Sequence, residues 1–158
     1  MSASIEQPVF DEPREHPGFI CRRARIGRQA GTEKLGLSLW EVAAGQAAYP
    51  YHWHLAEEEV VVVLSGTPSL RTPEGWRELE QGDVVAFPVG ERGAHQVVNR
   101  TDDTVRFLAL SNQQPDIVVF ADSNKIGAFE RRPDGGGLRE IFRAEDAADY
   151  YDGEEVPS

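Results

Sequence analysis

Two of the chain's four histidines stand one residue apart, in Tyr51–Gly66, "YHWHLAEEEVVVVLSG". In a strand, residues i and i+2 project to the same side. His52 and His54 therefore share a face, with Trp53 opposite. Imidazole binds borderline transition metals through either ring nitrogen, so the pair makes half of a metal site. A carboxylate brought back by a turn supplies a third ligand, and Glu57, Glu58 and Glu59 are all candidates. A fourth must come from elsewhere. His16 lies between Glu15 and Pro17 in a proline-rich stretch and is expected to be exposed. His95 follows the turn sequence "FPVGERGA" and opens a strand, a position that suits a ligand.

The elements that must position these residues read as strands. "LGLSLWEVA" (35–43) places Leu35, Leu37 and Leu39 on one face, and "VVVVL" (60–64) is a β-branched run. "SLRTPEGWREL" (69–79) reads as a hairpin turning at Pro73-Glu74-Gly75. "FICRRARI" (19–26), "GDVVAFP" (82–88), "HQVVN" (95–99), "TVRFLALS" (104–111) and "DIVVF" (116–120) complete the set. Short strands separated by turns predict a sandwich or barrel. Residues 1–18 read as an arm without a core of its own. Leu138, Ile141 and Phe142 have i, i+3, i+4 spacing and predict a short helix in 138–155. "RRPDGGG" (131–137) reads as a flexible joint before it.

Two motifs within 45–99 resemble those of the cupin superfamily. The first comprises Gly45, His52, His54, Glu59 and Gly66. Four residues separate His54 from Glu59, and six separate Glu59 from Gly66. The second comprises Gly82, Pro88, Gly90, His95 and Asn99. The Gly45–His52 spacer is one residue longer than the usual pattern, and the Gly90–His95 spacer is two longer, an extended turn through Glu91, Arg92 and Gly93. The resemblance implies an all-β fold, a cupin double-stranded β-helix or jelly-roll barrel, with a short N-terminal arm and a C-terminal helical tail. The whole of 1–158 is then a single domain: barrel core 35–121, arm 1–34, tail 122–158. It also implies a metal site of His52, His54, Glu59 and His95. The Gly66 spacing selects Glu59, and Glu58 stays open as the alternative in another register. Asn99 is expected only to cap a turn.

The implied cofactor is one divalent ion: Fe, Mn, Zn or Ni. Three neutral imidazoles and one carboxylate leave it positively charged. A six-coordinate ion would keep two positions for an anionic, oxygenated small molecule. Cupins with this ligand set include dioxygenases, decarboxylases and sugar or keto-sugar isomerases. Glu59 argues against the thiol dioxygenase branch, which typically lacks that ligand. A metal-dependent enzyme of dioxygenase or isomerase type is the first reading, and a non-enzymatic small-molecule or metal-binding module the second. Tyr49, Tyr51 and Trp53 are expected to point away from the metal if their strand is regular. Trp40 and Phe87 read as core. Arg106 reads as surface, or as a substrate clamp if it points inward. Lys125, in a segment similar to the "SGK" stretch of small cupins, reads as solvated.

Bulk properties narrow the partners. With 27 acidic against 16 basic residues, the net charge is −11. This argues against a nucleic-acid partner and against an anionic membrane surface. The basic run "RRARIGR" (22–28) reads as the solvated side of a strand. Cys21 is the single cysteine and a small buried hydrophobe by expectation, so no internal disulfide is possible. No basic-then-apolar leader is evident, and a cytoplasmic location is expected. A homodimer formed by exchange of N-terminal strands is the expected assembly.

Overall fold

The computed structural model describes residues 1–132 and 136–157. In chain order its strands are β1 (Cys21–Ala24), β2 (Leu35–Val42), β3 (Trp53–His54), β4 (Glu59–Ser65), β5 (Ser69–Thr72), β6 (Gly75–Glu78), β7 (Val84–Phe87), β8 (Gln96–Val98), β9 (Val105–Asn112), β10 (Asp116–Phe120), β11 (Lys125–Phe129) and β12 (Arg139–Arg143). One short helix, α1 (Ile26–Ala30), follows β1. All strand pairs are antiparallel. They form a sheet ordered β1-β2-β9-β4-β7, a second ordered β12-β11-β10-β3, and a third ordered β6-β5-β8.

Alternation assigns the faces. Val61 and Val63 are 1% exposed, whereas Val60 and Val62 are only partly buried. Val61 and Val63 join Trp40, Val42, Leu70, Phe87, Val97, Val105 and Phe107 in the inner core. A smaller apolar cluster lies on the outer face of the first sheet. There Ala24, Ile26 and Leu39 are covered by Ala3, Ile5 and Phe10 of the N-terminal segment. The arm thus completes a core that it lacks by itself. The Asp11 N–H donates to the Arg23 carbonyl at 2.8 Å, and Arg106 Nη2 donates to the Ile5 carbonyl at 2.8 Å.

Two expectations are corrected. "FICRRARI" is not one strand: β1 stops at Ala24 and Ile26 opens α1, where it is buried in the outer cluster. The C-terminal helix is absent. Residues 139–143 form β12, paired along β11 from Lys125↔Arg143 to Phe129↔Arg139, and a single 3-10 turn follows at Ala144–Asp146. Leu138, Ile141 and Phe142 remain about half exposed. The supposed helix face therefore has nothing to bury against, while the free edge of β11 offers a row of backbone partners. The joint expected at 131–137 falls partly on residues 133–135, outside the described residues. No helix among the described residues is long and apolar enough to cross a membrane.

Candidate metal centre

The four expected ligands arrive on three separate pieces of backbone. His52 lies at an isolated antiparallel bridge with His95. The His95 N–H donates to the His52 carbonyl at 2.9 Å, and the His52 N–H donates to the His95 carbonyl at 3.2 Å. His54 lies in β3, facing the same side as His52. Glu59 opens β4 and pairs with Phe87 on β7 and Ser111 on β9. Its parity with Val61 and Val63 turns it inward. Glu58 is exposed, and its N–H donates to Asn112 Oδ1 at 2.7 Å. Register therefore turns Glu59, and not Glu58, toward the histidines, which a valine run could not reveal.

The long spacer before His95 is a defined turn. Gly90 has φ +87°, its N–H donates to the His54 carbonyl at 2.7 Å, and a 3-10 turn spans Glu91–Gly93. A Cβ on Gly93 would lie 1.8 Å from the Pro88 carbonyl oxygen, so only glycine fits. Phe87 stacks on His95 with ring centroids 3.8 Å apart and planes 9° from parallel. Phe87 is core, as expected, and also fixes the His95 ring.

His54 Nε2 lies 3.2 Å from Glu59 Oε2, His95 Nε2 3.1 Å and His52 Nε2 4.0 Å. The opposite nitrogen of every ring is engaged. His52 Nδ1 is 2.8 Å from the Pro50 carbonyl, His95 Nδ1 is 3.0 Å from the Gly93 carbonyl, and His54 Nδ1 is 2.5 Å from Asp116 Oδ2. These oxygens accept, so each Nδ1 carries a hydrogen. In the neutral rings each Nε2 then presents a lone pair to the Glu59 carboxylate. In the neutral rings His54 Nε2 and His95 Nε2 are buried and have no hydrogen to give the Glu59 carboxylate. A buried set of acceptors facing one another is stable only around a proton or a cation. The donor set, three imidazoles and a carboxylate, fits a divalent transition metal.

The electrostatics agree. Burial and repulsion from His95 and His54 lower His52 to about 3, so its ring is neutral at physiological pH. Burial also opposes charge on His54. Hydrogen bonds to Asp116 and Glu59, and their negative charges, outweigh that opposition and push His54 up to about 9. Glu59 is held well below the usual carboxylate range: its burial is overcome by the hydrogen bonds and charges of His54 and His95. In the absence of metal, a proton on His54 sits where a cation would.

Two contributors escaped sequence reasoning. Asp116 opens β10, has a fully buried side chain, and accepts from His54 Nδ1 and from the Ala56 N–H at 2.9 Å. The only sequence signal was an aspartate heading an apolar strand. Tyr49 was expected to face away, yet its ring packs edge-on against His52 at 5.1 Å and His95 at 5.5 Å. Alternation fails because Pro50 interrupts the strand and regular β3 begins only at Trp53. The Tyr49 hydroxyl is buried without a partner, and burial, then the Glu59 charge, raises its pKa.

The remaining residues fall elsewhere. His16 is exposed in the arm. Arg106 lies on the outer face, paired with Glu41 at 3.2 Å, and is no substrate clamp. Lys125 lies in β11, 5.6 Å from the Phe120 ring. Asn99 is fully buried; it donates to the Val42 and Asp103 carbonyls and accepts from Thr101, which closes the 99–103 turn. Cys21 is buried in the inner core.

Residues 38–111 match the family model of the cupin domain. No curated protein matches the chain. Among solved structures, the chain is similar to a sugar phosphate isomerase of the cupin superfamily from Silicibacter pomeroyi. Identity is 23%, coverage is 96% of this chain and 98% of that one, and the TM-score is 0.79. It is also similar to a candidate sugar phosphate isomerase from Acidithiobacillus ferrooxidans, with 24% identity, 88% and 86% coverage, and a TM-score of 0.75. A predicted oxalate decarboxylase from Thermotoga maritima shares 17% identity over 71% of this chain and 98% of that one, with a TM-score of 0.60. At these identities the likeness establishes the fold.

Proposed function

We propose that this chain, whose residues 38–111 match the cupin domain, is a cupin that holds one divalent ion on His52, His54, Glu59 and His95 and transforms a small oxygenated metabolite there. One observation carries this reading: three Nε2 atoms converge on Glu59 Oε2 while every Nδ1 is tied to an oxygen. When bound, the ion would act as a Lewis acid on a substrate oxygen. Asp116 and the Pro50 and Gly93 carbonyls fix the ring orientations and tautomers. Phe87 and Tyr49 wall the site with aromatic surface. Tyr49, kept protonated by burial and the Glu59 charge, offers its unused hydroxyl to a substrate oxygen.

Isomerisation and dioxygenation both use such a ligand set. Isomerisation is the favoured branch: two similar structures carry the name sugar phosphate isomerase, and Tyr49 supplies a neutral donor beside the ligands. Elemental analysis of untagged protein, beside His52→Ala, tests the centre. One ion per chain, lost in the variant, is expected. Turnover of phosphorylated sugars without oxygen uptake would support isomerisation. Oxygen uptake coupled to turnover would assign the dioxygenase branch. One bound ion with no turnover in either atmosphere would leave a metal-dependent binding module.

A further inference from the structure

The inner face of the first sheet does not end at the metal cluster. Inward residues of β2 run from Trp40 to Ser38 and Gly36, and Arg23 of β1 stands opposite Trp40 in register. Facing them across the barrel mouth are Phe129 and Arg139, a register pair of β11 and β12, and Arg131 just beyond β11. Apart from Trp40, these residues line a concavity of about 170 Å³ together with Arg14, Arg25, Leu35 and Leu37.

Seven guanidinium groups line it in a chain of net charge −11, Arg28 and Arg132 among them, and not all are neutralised. Arg25 pairs with Asp11 at 3.2 Å, Arg131 with Glu57 at 3.1 Å and Arg132 with Glu130 at 2.6 Å. Arg14, Arg23 and Arg139 form no ion pair among the described residues. Arg23 instead directs its Nε and Nη2 onto the neutral Ser38 hydroxyl at 3.0 and 2.8 Å. Aromatic faces carry the side chains in pairs. Arg14 and Arg23 lie 4.9 and 5.2 Å from the Trp40 ring, and Arg131 and Arg139 lie 4.9 and 5.3 Å from Phe129. The crowding is felt: burial, then repulsion from Arg14 and Arg25, lowers Arg23 to about 10, and burial with Arg131, Arg14 and Arg25 lowers Arg139.

The basin shares a row with the metal ligands. Gly36 pairs with Ser111, which pairs with Glu59, all on the inner face. A Cβ on Gly36 would lie 2.6 Å from Ser111 Oγ, so the two do face the same side. Two strand spacings, roughly 10 Å, separate Gly36 from Glu59. The concavity is smaller than the roughly 300–1,000 Å³ that encloses a whole drug-sized ligand, so it suits an end group. A nucleic-acid strand needs a long basic track, which a concavity of this size does not provide.

We propose that this arginine basin binds the phosphate group of a phosphorylated small metabolite whose oxygenated end reaches Glu59 and the histidines. The anion site stands on the basin alone, and its link to chemistry rests on the metal-centre reading. Phosphate is favoured over carboxylate because a dianion with three terminal oxygens engages several bidentate forks at once.

The test is calorimetric titration of the purified chain with inorganic phosphate and with acetate at matched ionic strength. Metal content is measured on the same samples. Saturable phosphate binding at one site per chain is expected, at least tenfold tighter than acetate. Arg139→Gln, a change at an exposed strand position, is expected to weaken phosphate at least tenfold and leave metal content unchanged. Arg23→Lys, which keeps the charge without the fork, is expected to weaken it several-fold. His54→Ala is expected to lose metal and keep phosphate binding. Absence of saturable phosphate binding in a sample holding one ion per chain would overturn the basin and spare the metal centre. Equal phosphate affinity in wild type and both arginine variants would overturn it as well.

Discussion

Asp116 and His54 lie 62 residues apart in sequence, and Asp116 Oδ2 accepts from His54 Nδ1 at 2.5 Å in the interior. That contact fixes which nitrogen of His54 faces Glu59. It also ties a residue outside both histidine motifs to the proposed metal centre. Asp116→Asn is expected to weaken metal binding about 10–100-fold, the usual cost of losing such a partner. Competition against a chelator measures it, and an unchanged far-UV spectrum shows that the barrel survives. Undiminished affinity would show that Asp116 is only a structural hydrogen-bond partner.

Glu59 and Glu58 are adjacent, yet only Glu59 faces the histidines. Glu59→Gln is expected to remove most bound metal, and Glu58→Gln to leave the content of wild type. His54→Ala is expected to behave as Glu59→Gln while remaining folded. The reverse order in metal analysis would place β4 in a different register.

A proton on His54 and a metal ion at the proposed centre would compete for one position. His54 is raised to about 9 in the metal-free site, above its unfolded value of about 6.5. It therefore contributes stability that is fully present below about 6.5 and lost as pH rises through about 9. The metal-free chain is expected to lose thermal stability between those values. Metal affinity moves the other way and rises with pH over the same window. Near pH 7, uptake of one ion is expected to release close to one proton. Calorimetry in two buffers of different ionisation enthalpy reads that number, and zero release would contradict a protonated His54.

Gly93 leaves no room for a side chain, since a Cβ would meet the Pro88 carbonyl oxygen at 1.8 Å. Gly93→Ala must open the turn whose Gly93 carbonyl holds His95 Nδ1. A loss of roughly 2 kcal/mol or more in urea denaturation is expected, together with reduced metal content. Unchanged values for both would show that the turn relaxes without moving His95.

Tyr49→Phe removes the buried hydroxyl and keeps the ring against His52 and His95. Metal content is expected to match wild type, and turnover of the accepted substrate to fall about 10–100-fold through kcat. A loss of metal instead would make the tyrosine a structural support.

Local pattern determined much of this protein. Period-2 alternation, β-branched runs and turn residues marked the strands as far as β10 but not β11 or β12, because those signals are carried by neighbours a few positions apart. His52, His54 and His95 were legible for the same reason: motif spacing, with its glycines and proline, encodes turn geometry. Other features depend on partners far along the chain. Glu59 was separated from Glu58 by the register of β4 against β7 and β9, which a run of four valines does not reveal. Tyr49 faces the site because Pro50 breaks the strand, so parity counted from His52 misleads. Residues 139–143 became a strand because the edge of β11 was free, a fact of the sheet and not of the segment. Asp116 and the arginines of the barrel mouth come from distant stretches whose local context reads as strand, loop or charged surface. Only closure of the barrel sets Asp116 against His54, and Arg23 beside Arg131 and Arg139.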